Sequence, residues 1–201
     1  HELDFRRLQR KLRERALVVH LLDVRADRRE QRGDLGERGG QISQLDGEPR
    51  LAMVTAATVG HPGFVVDDRE IRRTGLSYSV DTMRTLRTDF PDRSLCLIVG
   101  MDAFLGLPKW HQWRELLELA HLVVAHRPGW RAPSMGPLGE LLVDRGTGRI
   151  NDLHESKAGC IYIHAVTQLE ISSTEVRKLI ASGRDPRYLM PDAVREIIES
   201  S

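Results

Sequence analysis

Residues 171–179 read ISSTEVRKL, with hydroxyls at Ser172, Ser173 and Thr174 followed by Arg177 and Lys178. Such a turn does one of two things. Ser172 or Ser173 caps the free amides of an ordinary helix start, or the amides, the hydroxyls and a cation one turn in take up a phosphate. A second stretch, GMDAFLGLPKWHQW at 100–113, carries different chemistry. Gly100 permits close backbone approach, and Asp102 accepts two hydrogen bonds from a vicinal diol such as a ribose. Trp110 and Trp113 offer flat faces to a heteroaromatic ring. The plainer reading is that Asp102 caps the next helix and the tryptophans are anchors. A third stretch, HRPGW at 126–130, sets Arg127 before a Pro-Gly turn, as a phosphate contact or a solvated charge. Together the three suggest a nucleotide.

The elements that must position these residues follow from patterning. RLAMVTAATV reads as a helix ended by His61-Pro62-Gly63, FVVDDREIRR alternates like an edge strand, and YSVDTMRTLRTDF is an amphipathic helix stopped by Pro91. SLCLIVGMD and HLVVAHRPGW are continuous apolar runs leading into turns, the signature of buried parallel strands, with the helix WRELLELA between them. GPLGELLVDR reads as a short helix, GCIYIHAV as a strand, STEVRKLIASG as a helix closed by Gly183, and PDAVREIIES as a last helix opened by Pro191. Strands alternating with helices predict an α/β fold, a mostly parallel sheet with helices on both faces. Ligands of such sheets bind where strands end, and all three stretches follow predicted strands.

Before Arg50 the character differs. Residues 1–49 are rich in arginine; ALVVHLLDV at 16–24 is the one strand candidate, HELDFRRLQRKLRER reads as a charged helix and DLGERGGQISQLDGEP as loop. The expected division is therefore an atypical segment 1–49 and an α/β domain 50–201. The abrupt change near 46–50 points to a shifted reading frame or a misplaced start, ahead of the alternative of a native but diverged or fused N-terminus; an opening His1 rather than Met points to a missing start or a non-native opening segment.

Composition bounds the partners. The chain has 201 residues, 40% hydrophobic and 29% charged, with 30 basic against 29 acidic side chains. A net charge of +1 gives no bulk surface for nucleic acid. No apolar run approaches the roughly 20 residues of a membrane span, and a cytoplasmic protein is expected. Cys96 and Cys160 sit in apolar runs and read as two buried thiols of a reducing compartment. No Cys/His cluster is present, so no structural zinc and no protein-held metal is expected. His121, His126, His154 and His164 read as strand-edge or surface histidines, and Arg184 and Arg187 as phosphate contacts or solvated charges.

RLAMV at 50–54, VVDDREIRRTGLSYSVDTMRTLR at 65–87, the run 95–130 and QLEISSTEVRKLIASGRDPRYLMPDAV at 168–194 carry a further signal. Taken together, Ser-Tyr-x-x-Asp-Thr, Gly-x-Asp followed by tryptophan, and Ile-Ser-Ser-Thr-x-x-Arg closely resemble the bacterial nicotinate-nucleotide adenylyltransferases. The resemblance covers about three quarters of the chain. It implies a Rossmann-like nucleotidyltransferase fold and transfer of the adenylyl group of ATP to nicotinate mononucleotide. It implies Mg²⁺ accompanying ATP, direct attack by the mononucleotide phosphate and no covalent enzyme intermediate. It also implies roles: Ser172, Ser173 and Arg177 on the ATP phosphates, Gly100 and Asp102 at the ribose, and Thr82, Trp110 and His111 around the nicotinate. In that setting Trp110 stacks on the pyridine ring, and backbone amides near Thr82 and His111 suit its carboxylate.

One family motif is not here. Its Gly-Gly-x-Phe-x-Pro-x-His-x-Gly-His loop has no counterpart in residues 1–50, whose histidines are His1 and His20, and its Pro-Pro-His-Lys stretch is also missing. Catalytic histidines are thus not assigned. Two alternatives stay open: an inactive nucleotide-binding fragment, and a sister adenylyltransferase with another phosphate acceptor. Self-association is left open too.

Overall fold

A computed structural model describes residues 16–20, 47–61, 63–126, 132–166 and 173–200, with 16–20 and Ser173 described by backbone alone. The chain divides into two compact units, one from residues 1–32 and 75–168, the other from 33–74 and 169–201.

The first unit is built on a five-stranded sheet of β1 (Ala16–His20), β2 (Ser94–Gly100), β3 (His121–His126), β4 (Gly146–Thr147) and β5 (Ile161–Ala165), in the order β1-β2-β3-β5-β4. Every pairing is parallel. Register pairs Cys96 with His121 and Gly100 with Ala125, and Ala125 in turn with His164. Because all strands run one way, His20, Gly100, His126 and Ala165 end on a single edge.

The strands form where the apolar runs predict, since β2 and β3 are buried on both faces. One face carries Leu95, Leu97, Val99, Leu122, Val124 and Ile161. It is covered by α3 (Ser79–Asp89) through Val80, Met83 and Leu86, by the segment from Met101 to Ala120, and by Leu138 of α6 (Gly136–Arg145). Each of these side chains, fully buried, contributes about 1.5–3 kcal/mol relative to exposure. The opposite face carries Cys96, Ile98 and Val123 under Leu153 of the short α7 (Asp152–Glu155), with Cys160 and Tyr162 beside them. This is the Rossmann-like α/β arrangement expected from the pattern.

Several elements differ from expectation. FVVDDREIRR is no strand: residues 64–68 are irregular and Arg69–Arg72 forms a helical turn, α2, in the second unit. Asp67 accepts from the Arg69 amide at 3.0 Å, and the Arg72–Asp68 ion pair spans one turn at 2.7 Å, so local charge pairing favours the turn. Val65, 90% exposed, has no sheet face to join. The 100–113 stretch, expected as a loop, is mostly helical, with α4 (Met101–Gly106) and a 3₁₀ turn Leu107–Lys109. WRELLELA splits into a 3₁₀ turn Trp113–Glu115 and α5 (Leu116–Leu119).

The second unit also holds α1 (Gly47–Thr58), α8 (Ser173–Ala181) and α9 (Asp192–Glu199), and α1 packs against α9. Of the expected N-terminal elements Ala16–His20 is described; the charged helix, residues 21–24 and residues 34–46 of the expected loop lie outside the described residues, as do Pro62 and Arg127, while Gly47–Pro49, also expected as loop, form the first turn of α1.

The histidine and cysteine readings need revising. His121 is not at a surface but fully buried. The Cys160 amide donates to its Nδ1 at 3.0 Å, which fixes the proton on Nε2, and Nε2 donates to the Ser156 carbonyl at 3.0 Å. Ser94 Oγ donates to the same carbonyl at 2.8 Å. Burial, above all, holds the His121 pKa below its ordinary value. Cys96 is buried and its thiol is pushed up to about 12, chiefly by burial, whereas Cys160 is half-buried.

Candidate functional site

Gly100 closes β2 and opens α4 in ordinary extended geometry, φ −73° and ψ 161°. Its value is space: a Cβ placed there would stand 2.6 Å from Asp102 Oδ1. The Asp102 carboxylate therefore folds back over the strand end. The N-cap position of this helix is Gly100, which has no side chain to cap with, and Asp102 lies two residues further in. It is exposed, and a carboxylate there accepts from a vicinal diol.

Thr82 lies on α3 and is 3% exposed. Its backbone amide is committed, donating to the Tyr78 carbonyl at 3.3 Å, so any free donor near Thr82 is a neighbouring amide. The helical amides that precede this ladder are those of Ser79 and Val80.

Trp110 and Trp113 are both core residues, 6% and 8% exposed, and Arg114 lies over the Trp113 ring at 4.5 Å. The aromatic face nearer to solvent is a different one. His111 is exposed and stacks on Tyr78, with ring centroids 4.3 Å apart and planes at 30°. Tyr78 itself packs against the core cluster that contains Trp110. The sequence signal for Tyr78 lay in the Ser-Tyr-x-x-Asp-Thr element.

An ion cluster joins α3 to the turn after Trp110. Arg84 donates from Nε to Glu115 Oε1 at 2.7 Å, from Nη2 to Glu115 Oε2 and Gln112 Oε1 at 2.5 Å each, and from Nη1 to Asp81 at 2.8 Å. The hydrogen bond from Arg84, first, and the nearby His111 more weakly, hold the Glu115 carboxyl below the usual range.

In the second unit Ser173 opens α8, and Arg177 lies on it one turn later, half-buried. Among the described residues no hydrogen bond or ion pair engages Arg177 or Asp102. Ser172 lies outside the described residues. Also among the described residues, no three His, Cys, Asp or Glu side chains gather as a metal-ligand cluster, and no helix is long and apolar enough to cross a membrane.

A cytidylyltransferase-like family model matches residues 43–179. A protein of Aeromonas hydrophila named "probable nicotinate-nucleotide adenylyltransferase" is 46% identical over 151 residues, 75% of this chain and 71% of that one. The chain belongs to the nicotinate-nucleotide adenylyltransferase family. An adenylyltransferase of the same name from Acidithiobacillus ferrooxidans is 44% identical over 156 residues, 77% of this chain and 72% of its own. Among solved structures, the nicotinic acid mononucleotide adenylyltransferase of Plasmodium falciparum, complexed with NaAD, aligns with a TM-score of 0.56 over 98% of this chain and 88% of that one. At 14% identity this likeness concerns the fold, which is the adenylyltransferase fold.

Proposed function

We propose that this chain transfers the adenylyl group of ATP to nicotinate mononucleotide, yielding nicotinate adenine dinucleotide and pyrophosphate. The observation that carries the reading is the 46% identity over three quarters of the chain to a protein named for that activity. A mononucleotide phosphate oxygen attacks the α-phosphorus of ATP, the bond to the α–β bridging oxygen breaks, and pyrophosphate leaves. Chemistry of this kind asks for alignment and charge neutralisation and needs no protein nucleophile.

In this reading Ser172, Ser173 and Arg177 hold the polyphosphate, and Gly100 and Asp102 receive the ribose. Thr82, Trp110 and His111 receive the pyridine nucleotide. With Trp110 buried, the Tyr78–His111 pair supplies the exposed aromatic surface at that subsite. Mg²⁺ accompanying ATP would supply positive charge for the departing pyrophosphate, with Arg177 acting on the same phosphates. Residues 50–201 form the catalytic domain, and a cytoplasmic setting fits an enzyme that consumes ATP.

The sequence of residues 1–50 favours a second reading, because the family's histidine loop is not in it. A protein without those charge-stabilising groups binds both nucleotides and turns over slowly or not at all. The deciding experiment is pyrophosphate release by the 201-residue chain with ATP, Mg²⁺ and nicotinate mononucleotide, run beside nicotinamide mononucleotide. Turnover that Arg177→Ala lowers about 10²-fold supports the first reading. Calorimetric binding of both nucleotides without turnover supports the second.

A further inference from the structure

Arg84 makes more hydrogen bonds to side chains than holding one helix requires. Three of its nitrogens reach Asp81 on its own helix and Gln112 and Glu115 across the gap. The turn it grips runs from Trp110 to Glu115 and contains a backbone anomaly. Gln112 has φ 49° and ψ 37°, the left-handed conformation that non-glycine residues adopt only where the surroundings enforce it. Arg84 Nη2 holds that side chain at 2.5 Å.

Next to Gln112 is His111, stacked on Tyr78, and the Tyr78 carbonyl takes the first amide bonds of α3. The contacts thus close a ring: Tyr78, α3, Arg84, Gln112, His111 and back to Tyr78. Asp81, Glu115 and Arg84 are the charged groups facing it from α3 and from the turn, and each side chain of the trio is about one third exposed, at 33%, 37% and 39% respectively. Exposed ion pairs at this depth add little to stability, so a bidentate fork here is better suited to fixing geometry.

We propose that Arg84 is a positioning residue for the phosphate-bearing acceptor: it fixes the His111–Gln112 turn and keeps the His111 ring on Tyr78 where the pyridine nucleotide is received. Arg84 touches no reacting atom. The inference rests on the functional reading above, and the test separates the two.

Calorimetric titration of the 201-residue chain with nicotinate mononucleotide and, separately, with ATP is compared between the parent and Arg84→Lys, which keeps the charge and loses the fork. Circular dichroism verifies that both are folded, and Glu115→Gln serves as the second variant should Arg84→Lys fail to fold. The expected result is about tenfold weaker mononucleotide binding, the size set by re-ordering two side chains on binding, with ATP affinity unchanged. Equal binding by parent and variant overturns the proposal, as does equal weakening of both ligands.

The His111 ring protons supply a readout that needs no ligand. They are shifted upfield by Tyr78 in the parent and move toward random-coil positions in the variant; an unchanged shift overturns the proposal. A parent that binds no mononucleotide refutes the functional reading itself, and the inference falls with it, even where the proton shifts behave as stated.

Discussion

Gly100 and Asp102 act as a pair, and neither can be understood alone. An alanine at 100 brings its Cβ against Asp102 Oδ1, and the exposed carboxylate is the movable partner. Gly100→Ala is therefore expected to change stability by no more than about 0.5 kcal/mol, since nothing else is strained. If Asp102 receives the ribose as proposed, the same substitution should weaken ATP binding about tenfold by swinging the carboxylate aside. A double-mutant cycle checks this: in an Asp102→Ala background, Gly100→Ala should have no further effect on ATP affinity measured by calorimetry. What the sequence made legible was the strand end on which Gly100 and Asp102 stand, because the apolar run of β2 stops there. Tyr78 was legible only as part of a motif, since nothing in a lone tyrosine announces that an imidazole will lie on it.

At the level of elements, the sheet was readable and its connections less so. β2, β3 and β5 announce themselves as apolar runs. Residues 101–109 did not read as helix because Gly100, Gly106 and Pro108 look like loop punctuation, yet Phe104 and Leu107 are fully buried and fix the segment on the sheet. The side chains that lock elements together were invisible for a plain reason: besides near neighbours, each reaches partners about thirty positions or more away. Arg87 is the clearest case. It leaves the end of α3 and donates to the carbonyls of Phe90, Arg93, Leu119 and Lys157, at 3.1, 2.7, 2.7 and 2.8 Å, with a second bond to Leu119 at 3.2 Å. One guanidinium thus ties the turn before β2, the end of α5 and the segment before β5. Arg87→Ala should cost about 2–4 kcal/mol, read as a shift in the urea midpoint, while Arg87→Lys recovers part of it through a single point donor. A loss under about 0.5 kcal/mol would show that water replaces the arginine without penalty.

For the whole molecule, buried ionisable groups set the pH range of stability. The folded pKa of His121 lies below its unfolded value near 6.5, so the unfolded chain takes the proton first. The stability this histidine contributes is complete above about pH 6.5 and is lost as pH falls, by up to about 1.4 kcal/mol per pH unit until the folded pKa is reached. Melting temperature measured from pH 7.5 to 5 should fall in the parent and fall less steeply in His121→Gln. Parallel slopes would refute the assignment. Asp67 and Glu115, whose pKa values are lowered by arginine partners, act in a separate and more acidic window.

The sheet order has a consequence for how the protein is made. Ala16 of β1 pairs with Ser94, close to eighty positions later, and α1 meets α9 only when the chain has reached residue 192. At roughly 5–20 residues per second on a ribosome, the apolar ALVVH segment waits about 4–16 s for its partner strand. Each compact unit is stitched from two distant segments, so the nascent chain carries unfinished edges until its last helix emerges.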